Sequence, residues 1–532
     1  MTAAWAIALL ILAPLAAAAL AFAFPRCGRW LALGTALVNG LVMVQLTRQV
    51  LTAGVQIHRV GGWGTPLGID LRADGLSVLM LLLTTLIGLA VSLYAQKYFT
   101  AHEPKNPHET GSSGRESAPS SGEKSQSRLT SAATNEGRNE AENLHRERYF
   151  WPLFLFLWTA LNALFLSADI FNLYVTLELL GFAAVALVAL AGQRDALTAA
   201  LRYLFVSLSA SLFYLLGVGL VYGQCATVDL ASLAAKAQAG PTLWVALALM
   251  TGGLIAKAAL FPLHFWLPPA HANAPAPVSA LLSALVVKGS FYILLRLWFE
   301  AFPALRTPAV AQLFGLLGAA AILWGSVNAL FQSRLKLLIA YSTVAQIGYL
   351  FLLFPLATAT GGGFTAWSGG LIFLGAHACA KTAMFLTAGN ILHAAGHDRI
   401  KDLDGITHVL PVSVFAFGLA GMSLIGLPPS SGFAGKWLLL NAALAQGQWG
   451  WVAVMLLGSL LAAAYVVRVL AHSFTQVEEP QTPNPIPSVM EWTALALALL
   501  AVGLGFASHW LAELLRVGAP VAGAMLKGGA TP

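Results

Sequence analysis

Charge is what this sequence of 532 residues has least of: 10% of it is Asp, Glu, Lys or Arg, whereas 58% is hydrophobic, and the mean hydropathy is +0.75. Soluble domains carry about 25% charged residues, so the composition excludes an ordinary water-soluble fold and points to a chain whose solvent is lipid. Cysteine is nearly absent. Cys27, Cys225 and Cys379 are far apart and share no metal or disulfide spacing, which excludes a disulfide scaffold and an iron–sulfur centre. There is also no glycine-rich phosphate loop and no nucleophile triad, so no cofactor and no intrinsic active site are expected. The histidines lack a carboxylate or cysteine at ligand spacing, and no metal is expected either. The net charge of +7 does not imply nucleic acid, because the basic residues fall in loops between apolar runs without aromatic companions.

What is present is a series of apolar runs of roughly 20 residues, the length that crosses a bilayer. Breaking them at charge, Gly and Pro clusters predicts an all-α polytopic membrane protein of about 14 transmembrane helices, near 3–24, 29–48, 74–98, 149–167, 170–191, 200–222, 242–262, 276–299, 309–331, 335–355, 364–394, 408–428, 449–473 and 489–513. The first run has no basic region ahead of it and exceeds a signal-peptide core, so it reads as a retained helix. Basic residues gather after odd-numbered helices: Arg26 and Arg29, Lys97, Arg194, Arg334 and Lys336, Arg399 and Lys401, Arg468. The positive-inside rule makes those loops cytoplasmic and places both termini on the outer side of a plasma (inner) membrane. The polar segment 100–148 is expected to be a disordered cytoplasmic insertion, and His393, His397 and His408 are expected at the surface.

Two runs carry helix breakers beside a lysine. These are Lys257-Ala258-Ala259-Leu260-Phe261-Pro262 through Pro268-Pro269, and Gly426-Leu427-Pro428-Pro429 through Gly435-Lys436. Proline removes a backbone donor and clashes with the preceding turn. At membrane depth, opened backbone persists only where protein or water satisfies it, as at transport sites; ordinary proline kinks are the plainer alternative. The breaks fall in the seventh and twelfth helices, five apart, as two inverted five-helix repeats would place them.

Glu178 lies inside Phe171-Asn172-Leu173-Tyr174-Val175-Thr176-Leu177-Glu178-Leu179-Leu180, mid-span, and Lys257, Lys288, Lys381 and Lys436 lie in equally apolar surroundings. A charge at the bilayer centre costs roughly 2.5–3.5 kcal/mol on insertion scales, which makes such residues candidates for an ion or proton path. A buried Glu–Lys pair is balanced between charge states, so displacing one partner shifts the proton of the other. Neutral imidazole both donates and accepts, which suits His264, His271 and His377 to a proton wire; His377 precedes Lys381 by four residues, on one helix face. The expected set is Glu178 with Lys257 as a switching pair, Lys288 and His264 as relay, and His377, Lys381 and Lys436 as a second half-channel. Snorkelling or static ion pairing is the alternative for each lysine.

From about Asp70 to Arg468 the chain resembles the antiporter-like membrane subunits shared by respiratory complex I, Mrp-type multisubunit Na+/H+ antiporters and membrane-bound hydrogenases. The resemblance is carried in order by Asn172-Leu173-Tyr174-Val175-Thr176-Leu177-Glu178, by Ala256-Lys257 through Pro268 with Ala270-His271-Ala272-Asn273-Ala274-Pro275, by Ala340-Tyr341-Ser342-Thr343, by His377-Ala378-Cys379-Ala380-Lys381, and by Gly426-Leu427-Pro428-Pro429 through Lys436. Val287-Lys288-Gly289-Ser290-Phe291-Tyr292 is most similar to the D-type subunit of the Mrp antiporters. The resemblance implies proton translocation in a multisubunit cation/proton antiporter, with other membrane subunits as partners and protons, with or without Na+, as cargo. A proton-pumping subunit of a complex I-like NADH:quinone oxidoreductase or membrane hydrogenase, and a non-transporting scaffold, are the alternatives. The expected division is 1–99 for three N-terminal helices, 100–148 for the insertion, 149–300 and 308–473 for the repeats, and 474–532 for the last helix and tail.

Overall fold

The computed structural model describes residues 2–65, 68–100, 121–359, 361–476 and 484–521, without the side chains of 121–142. Almost all of it is helix. Helices α1 (Ala3–Ala23) and α2 (Gly28–Ala53) lead to a two-stranded antiparallel hairpin, β1 (Gln56–Arg59) and β2 (Asp70–Ala73), with Arg59 opposite Asp70. Helices α3 (Gly75–Tyr98), α4 (Ser121–Leu166), α5 (Ile170–Ala189) and α6 (Arg194–Cys225) follow. The seventh is split into α7a (Pro241–Lys257) and α7b (Leu267–Asn273). Next come α8 (Ala276–Ala301), α9 (Pro308–Phe331), α10 (Leu335–Thr358) and α11 (Gly363–Ala395). The twelfth is split into α12a (Pro411–Ile425) and α12b (Ser431–Ala445); α13 (Trp449–Phe474) and a bent pair, α14a (Ser488–Gly503) and α14b (Ser508–Arg516), complete the chain.

By length and apolarity, 11 described helices can cross a membrane, or 12 if the pair bent by 74° counts as one span. The two other expected spans, the seventh and twelfth, are shorter helices because each stops at its break. In α4–α8 and again in α9–α13, the fourth member is the broken one.

Polar side chains sit where the helices need them. Asp74, Asp169, Thr307 and Ser430 cap α3, α5, α9 and α12b by accepting backbone N–H groups that have no partner within their helix. Large apolar side chains such as Phe205, Leu212 and Phe331 point outward, as lipid requires. Helices α8 and α11 are buried along their whole spans and α10 nearly so. These three form the centre, a position that only helices apolar on every face can take.

Three expectations need correction. Disorder is expected as far as residue 148. Residues 101–120 lie outside the described residues, but from Ser121 the backbone is helical and runs straight into α4. Polarity governs burial, whereas the Glu, Gln, Arg and Ala of this stretch are good helix formers. Lys336, expected in a loop, is the second residue of α10 and is buried. His393 is also buried, packed edge-on against Tyr98 at 4.7 Å, while His408 is exposed and His397 half-buried.

Candidate functional site

The first centre forms where α7a stops. Ala259 takes φ +53° after Lys257, and the chain leaves the helix one turn before Pro262. Freed backbone is satisfied locally: the Trp266 indole donates to the Ala256 carbonyl (2.9 Å), and its ring stacks on Tyr203 of α6 at 4.2 Å. The last residue of α7a, Lys257, is thereby held against α5, where its Nζ lies 2.9 Å from Glu178 Oε1. Ser211 of α6 donates to the same oxygen. The side chains are 6% and 16% exposed. Gly181, one turn beyond Glu178, leaves the room this needs, since a Cβ there would stand 2.8 Å from Ser207 Oγ. Two opposite charges desolvated at this distance are equivalent in net charge to two neutral groups, so a proton passing from lysine to carboxylate changes nothing outside the pair.

The second centre lies in the middle of the molecule. Gly289 packs on Leu180, which puts the adjoining Lys288 on the helix facing Glu178's. Lys288 is fully buried and donates to the carbonyl of Ser283 (2.8 Å), five residues back, which a π-helical turn at Leu282–Val286 leaves free. The Ser283 hydroxyl meets Thr343 Oγ1 of α10 at 2.9 Å, and Thr343 donates to the Ile339 carbonyl (3.0 Å). Lys381 of α11 reaches that same carbonyl (3.1 Å) and also donates to Ser342 Oγ. Hydroxyls of α8 and α10 therefore connect the surroundings of two lysines on different helices. Among the described residues, neither lysine is in an ion pair.

Lys381 leads to His377, one turn earlier on α11. His377 is fully buried, has no hydrogen-bond partner on either ring nitrogen among the described residues, and lies within electrostatic reach of Lys288, Lys381 and Lys436. Lys436 reaches back from α12b to the end of α12a, where it donates to the carbonyls of Leu424 (2.8 Å) and Ile425 (3.3 Å) and to Ser459 Oγ (3.1 Å). It also lies 4.1 Å from the Tyr349 ring centroid. Gly426 at φ +89° ends α12a. In both broken helices the lysine thus attends the C-terminal end of the first half, where the helix dipole favours a cation.

His264 is buried in the first break, between the rings of Phe261 and Tyr341, and no hydrogen bond joins it to Lys288. The second histidine of that stretch, His271, lies in α7b. It is fully buried against Phe385, has no hydrogen-bond partner on either nitrogen among the described residues, and lies within electrostatic reach of Lys336 and Lys381. Lys336 itself donates to the Ala274 carbonyl. Neither His271 nor Lys336 belongs to the set of pair, relay and half-channel expected from sequence. The hint for Lys336 is the apolar run that begins at Leu335, which marks it as a helix residue. The bridging hydroxyls of Ser211, Ser283, Ser342 and Thr343 give no hint, since serine and threonine are ordinary in membrane helices.

A separate cluster fixes the far end of α8. Arg296 donates to both carboxylate oxygens of Asp74 (2.6 and 2.7 Å) and pairs with Glu300, while Arg72 bridges Asp74 (3.0 Å) and Glu300 (2.9 Å). Burial pushes the Asp74 carboxyl up, but the guanidinium groups of Arg296 and Arg72 outweigh it and hold it at about 2. No group of histidine, cysteine and acidic residues able to hold a metal ion occurs among the described residues.

A multi-spanning helical bundle with a buried row of bases and a Glu–Lys pair at a helix break defines a class of membrane subunit. Residues 167–462 match the family model described as NADH:quinone oxidoreductase/Mrp antiporter, TM, and residues 63–108 that described as NADH-Ubiquinone oxidoreductase (complex I), chain 5 N-terminus. The chain belongs to this complex I/Mrp antiporter family. It is 35% identical over 461 residues to the N-type subunit of the NADH-quinone oxidoreductase of Desulforudis audaxviator, covering 84% of this chain and 83% of that protein. To the D-type subunit of the Na(+)/H(+) antiporter of Bacillus subtilis it is 29% identical over 475 residues, covering 88% and 86%. Among solved structures it is similar to a chain of the Mrp complex from Dietzia sp. (TM-score 0.82, 25% identity, 98% of each chain). It also resembles a chain of respiratory complex I from Thermus thermophilus (TM-score 0.70, 25% identity, 95% of this chain and 98% of that one).

Proposed function

We propose that this chain carries protons through the membrane as one subunit of an Mrp-like multisubunit cation/proton antiporter. The observation that supports this best is the buried Glu178–Lys257 pair beside a row of bases with no acid of their own. When Glu178 and Lys257 are in contact, their fields cancel at Lys288. When they separate, the uncompensated charge of Lys257 acts on Lys288 and drives its proton toward Lys381 through the hydroxyls of α10. His377 and Lys436 form the second half-channel, and His264 and His271 bring protons to the line at the first break. The repeats, about 149–300 and 308–473, supply one half each, and the basic loops face the cytoplasm with both termini outside. Membrane subunits are the partners, as in the multisubunit assemblies to which the chain is similar.

The higher identity to an oxidoreductase component supports a second reading, in which redox subunits drive the same proton path. Isolating the complex from native membranes distinguishes the two: small antiporter subunits support the first, and subunits bearing flavin or iron–sulfur clusters the second. The proton path itself is tested by Glu178→Ala in everted vesicles. Loss of transport with normal assembly is expected. Transport at the wild-type level would remove Glu178 from the path, and loss of assembly would favour a scaffold.

A further inference from the structure

A cavity of about 210 Å³ opens where several interhelical connections meet. Its lining comes from the ends of α3, α7b and α11, the middle of α4 just ahead of its apolar half, the α5–α6 connection and the start of α10. All of these belong to one face, the one that the positive-inside reading turns toward the cytoplasm. The wall carries Arg146, Arg334, Lys336 and His393, with amides from Asn143 and Gln193, and among the described residues no carboxylate lines it. Asp398 stands behind the wall, pairing with Arg334 at 2.9 Å and accepting from the backbone N–H of Lys336 at 3.3 Å. The Lys336 ammonium itself donates to the Ala274 carbonyl, and Arg146 donates to Asn143 Oδ1 (3.3 Å) and to the Ala191 carbonyl (3.0 Å). A guanidinium has five N–H donors and an ammonium three, so each cation of the wall can hold more than one acceptor at a time.

Such a mouth is ill suited to admit a free cation. Positive charge lining a constriction repels Na+ and attracts anions. The cavity is roomy enough for a compact oxyanion with part of its hydration shell. Two forked guanidinium groups and an ammonium around one space match the several equivalent oxygens of a tetrahedral anion, with arginine able to bind two at once. Lys336 also lies within electrostatic reach of His271, whose two nitrogens have no hydrogen-bond partner among the described residues.

We infer that this pocket binds a phosphate-type oxyanion, held by Arg146, Arg334 and Lys336, and that its negative charge offsets the cations at the inner mouth so that protons can approach His271. The same chemistry is offered by inorganic phosphate and by the head group of an acidic phospholipid, whose anionic heads basic pockets between membrane helices commonly take. The inference rests on the proton path proposed above only for its consequence; binding stands or falls independently.

The test uses the full chain in its native complex, delipidated in detergent. Native mass spectrometry reads retained acidic phospholipid, and equilibrium dialysis with radiolabelled orthophosphate, in chloride buffer of matched ionic strength, reads the free anion. One retained lipid per chain identifies the head group as the source, whereas saturable orthophosphate binding in the lipid-free chain identifies the free anion. In either case Arg146→Gln should weaken binding about tenfold or more, the usual effect of deleting a charge-assisted hydrogen bond. Arg146→Lys should lose less, because the charge remains. A shift to higher melting temperature with the bound species, present in wild type and absent in Arg146→Gln, shows that the variant is folded but unable to bind. Absence of both ligands from the wild-type complex, or unchanged binding in Arg146→Gln, would overturn the inference.

Discussion

Replacing Lys257 by arginine separates two roles that alanine confounds. At 2.9 Å the Glu178–Lys257 attraction is about 6 kcal/mol at an effective dielectric constant of roughly 20. Lys257→Ala removes it and leaves a desolvated carboxylate without its counter-charge, a loss of about 3–5 kcal/mol for a buried pair. That is enough to impair folding as well as transport. Arginine keeps the sign and offers more donors, so a static pair would survive the change. It differs in releasing its proton: the reference proton affinity of guanidinium exceeds that of ammonium by about 2–3 pH units, making the neutral form roughly 100- to 1000-fold rarer. If Lys257 exchanges a proton, Lys257→Arg should assemble and melt like wild type while proton uptake by everted vesicles, read with a pH-sensitive dye at matched expression, falls by about 100-fold. Near-normal uptake in Lys257→Arg would refute proton exchange at this lysine and leave Lys288 as the residue that starts the relay.

Asp74→Ala strands Arg296, buried at the end of α8, and should destabilise the protein by about 3–5 kcal/mol, measured as earlier unfolding in detergent, while the fraction that assembles still transports. Because the folded Asp74 carboxyl is held at about 2, below the usual 3.9 or so of an unfolded aspartate, its contribution is fully present above pH 4 or so and is lost as pH falls toward 2; acid titration of wild-type melting should show that loss, and Asp74→Ala should not. Gly426→Ala should reduce transport and lower the melting temperature, since the site has φ +89° and a Cβ would stand 2.9 Å from the Lys436 side chain; a variant equal to wild type in both would show that this helix end can relax freely.

The elements are legible wherever one apolar run is one helix. Helices α5, α9 and α11 begin and end within a few residues of expectation because lipid imposes the same hydrophobic length on each. Glu178 and Lys257 can be singled out because a charge in such a run is conspicuous. Lys336 is harder, since it follows Arg334 at a helix start, where sequence gives the same signal for a loop cation and for a buried one. His393 misleads for the converse reason: it stands in the last turn of α11, where it is nonetheless buried, with Tyr98 of α3 packed edge-on against its ring. Asp74 and Arg296 are 222 residues apart, and no local pattern announces that they meet. The same applies to the Ser283–Thr343 contact, which exists because α8 and α10 are neighbours in the centre.

Lys436 has three acceptors, the carbonyls of Leu424 and Ile425 and the hydroxyl of Ser459, and as an ammonium it has three hydrogens to give them. A neutral amine has only two. Were this residue to hand on its proton, the count would no longer close, and one of the three oxygens would have to find another donor or go without. Two of them are the terminal carbonyls of α12a, so the deficit falls on the seam between the two half-helices. Water arriving to fill it, or the half-helix turning to recover it, would make the protonation state of one side chain readable as the position of a helix end.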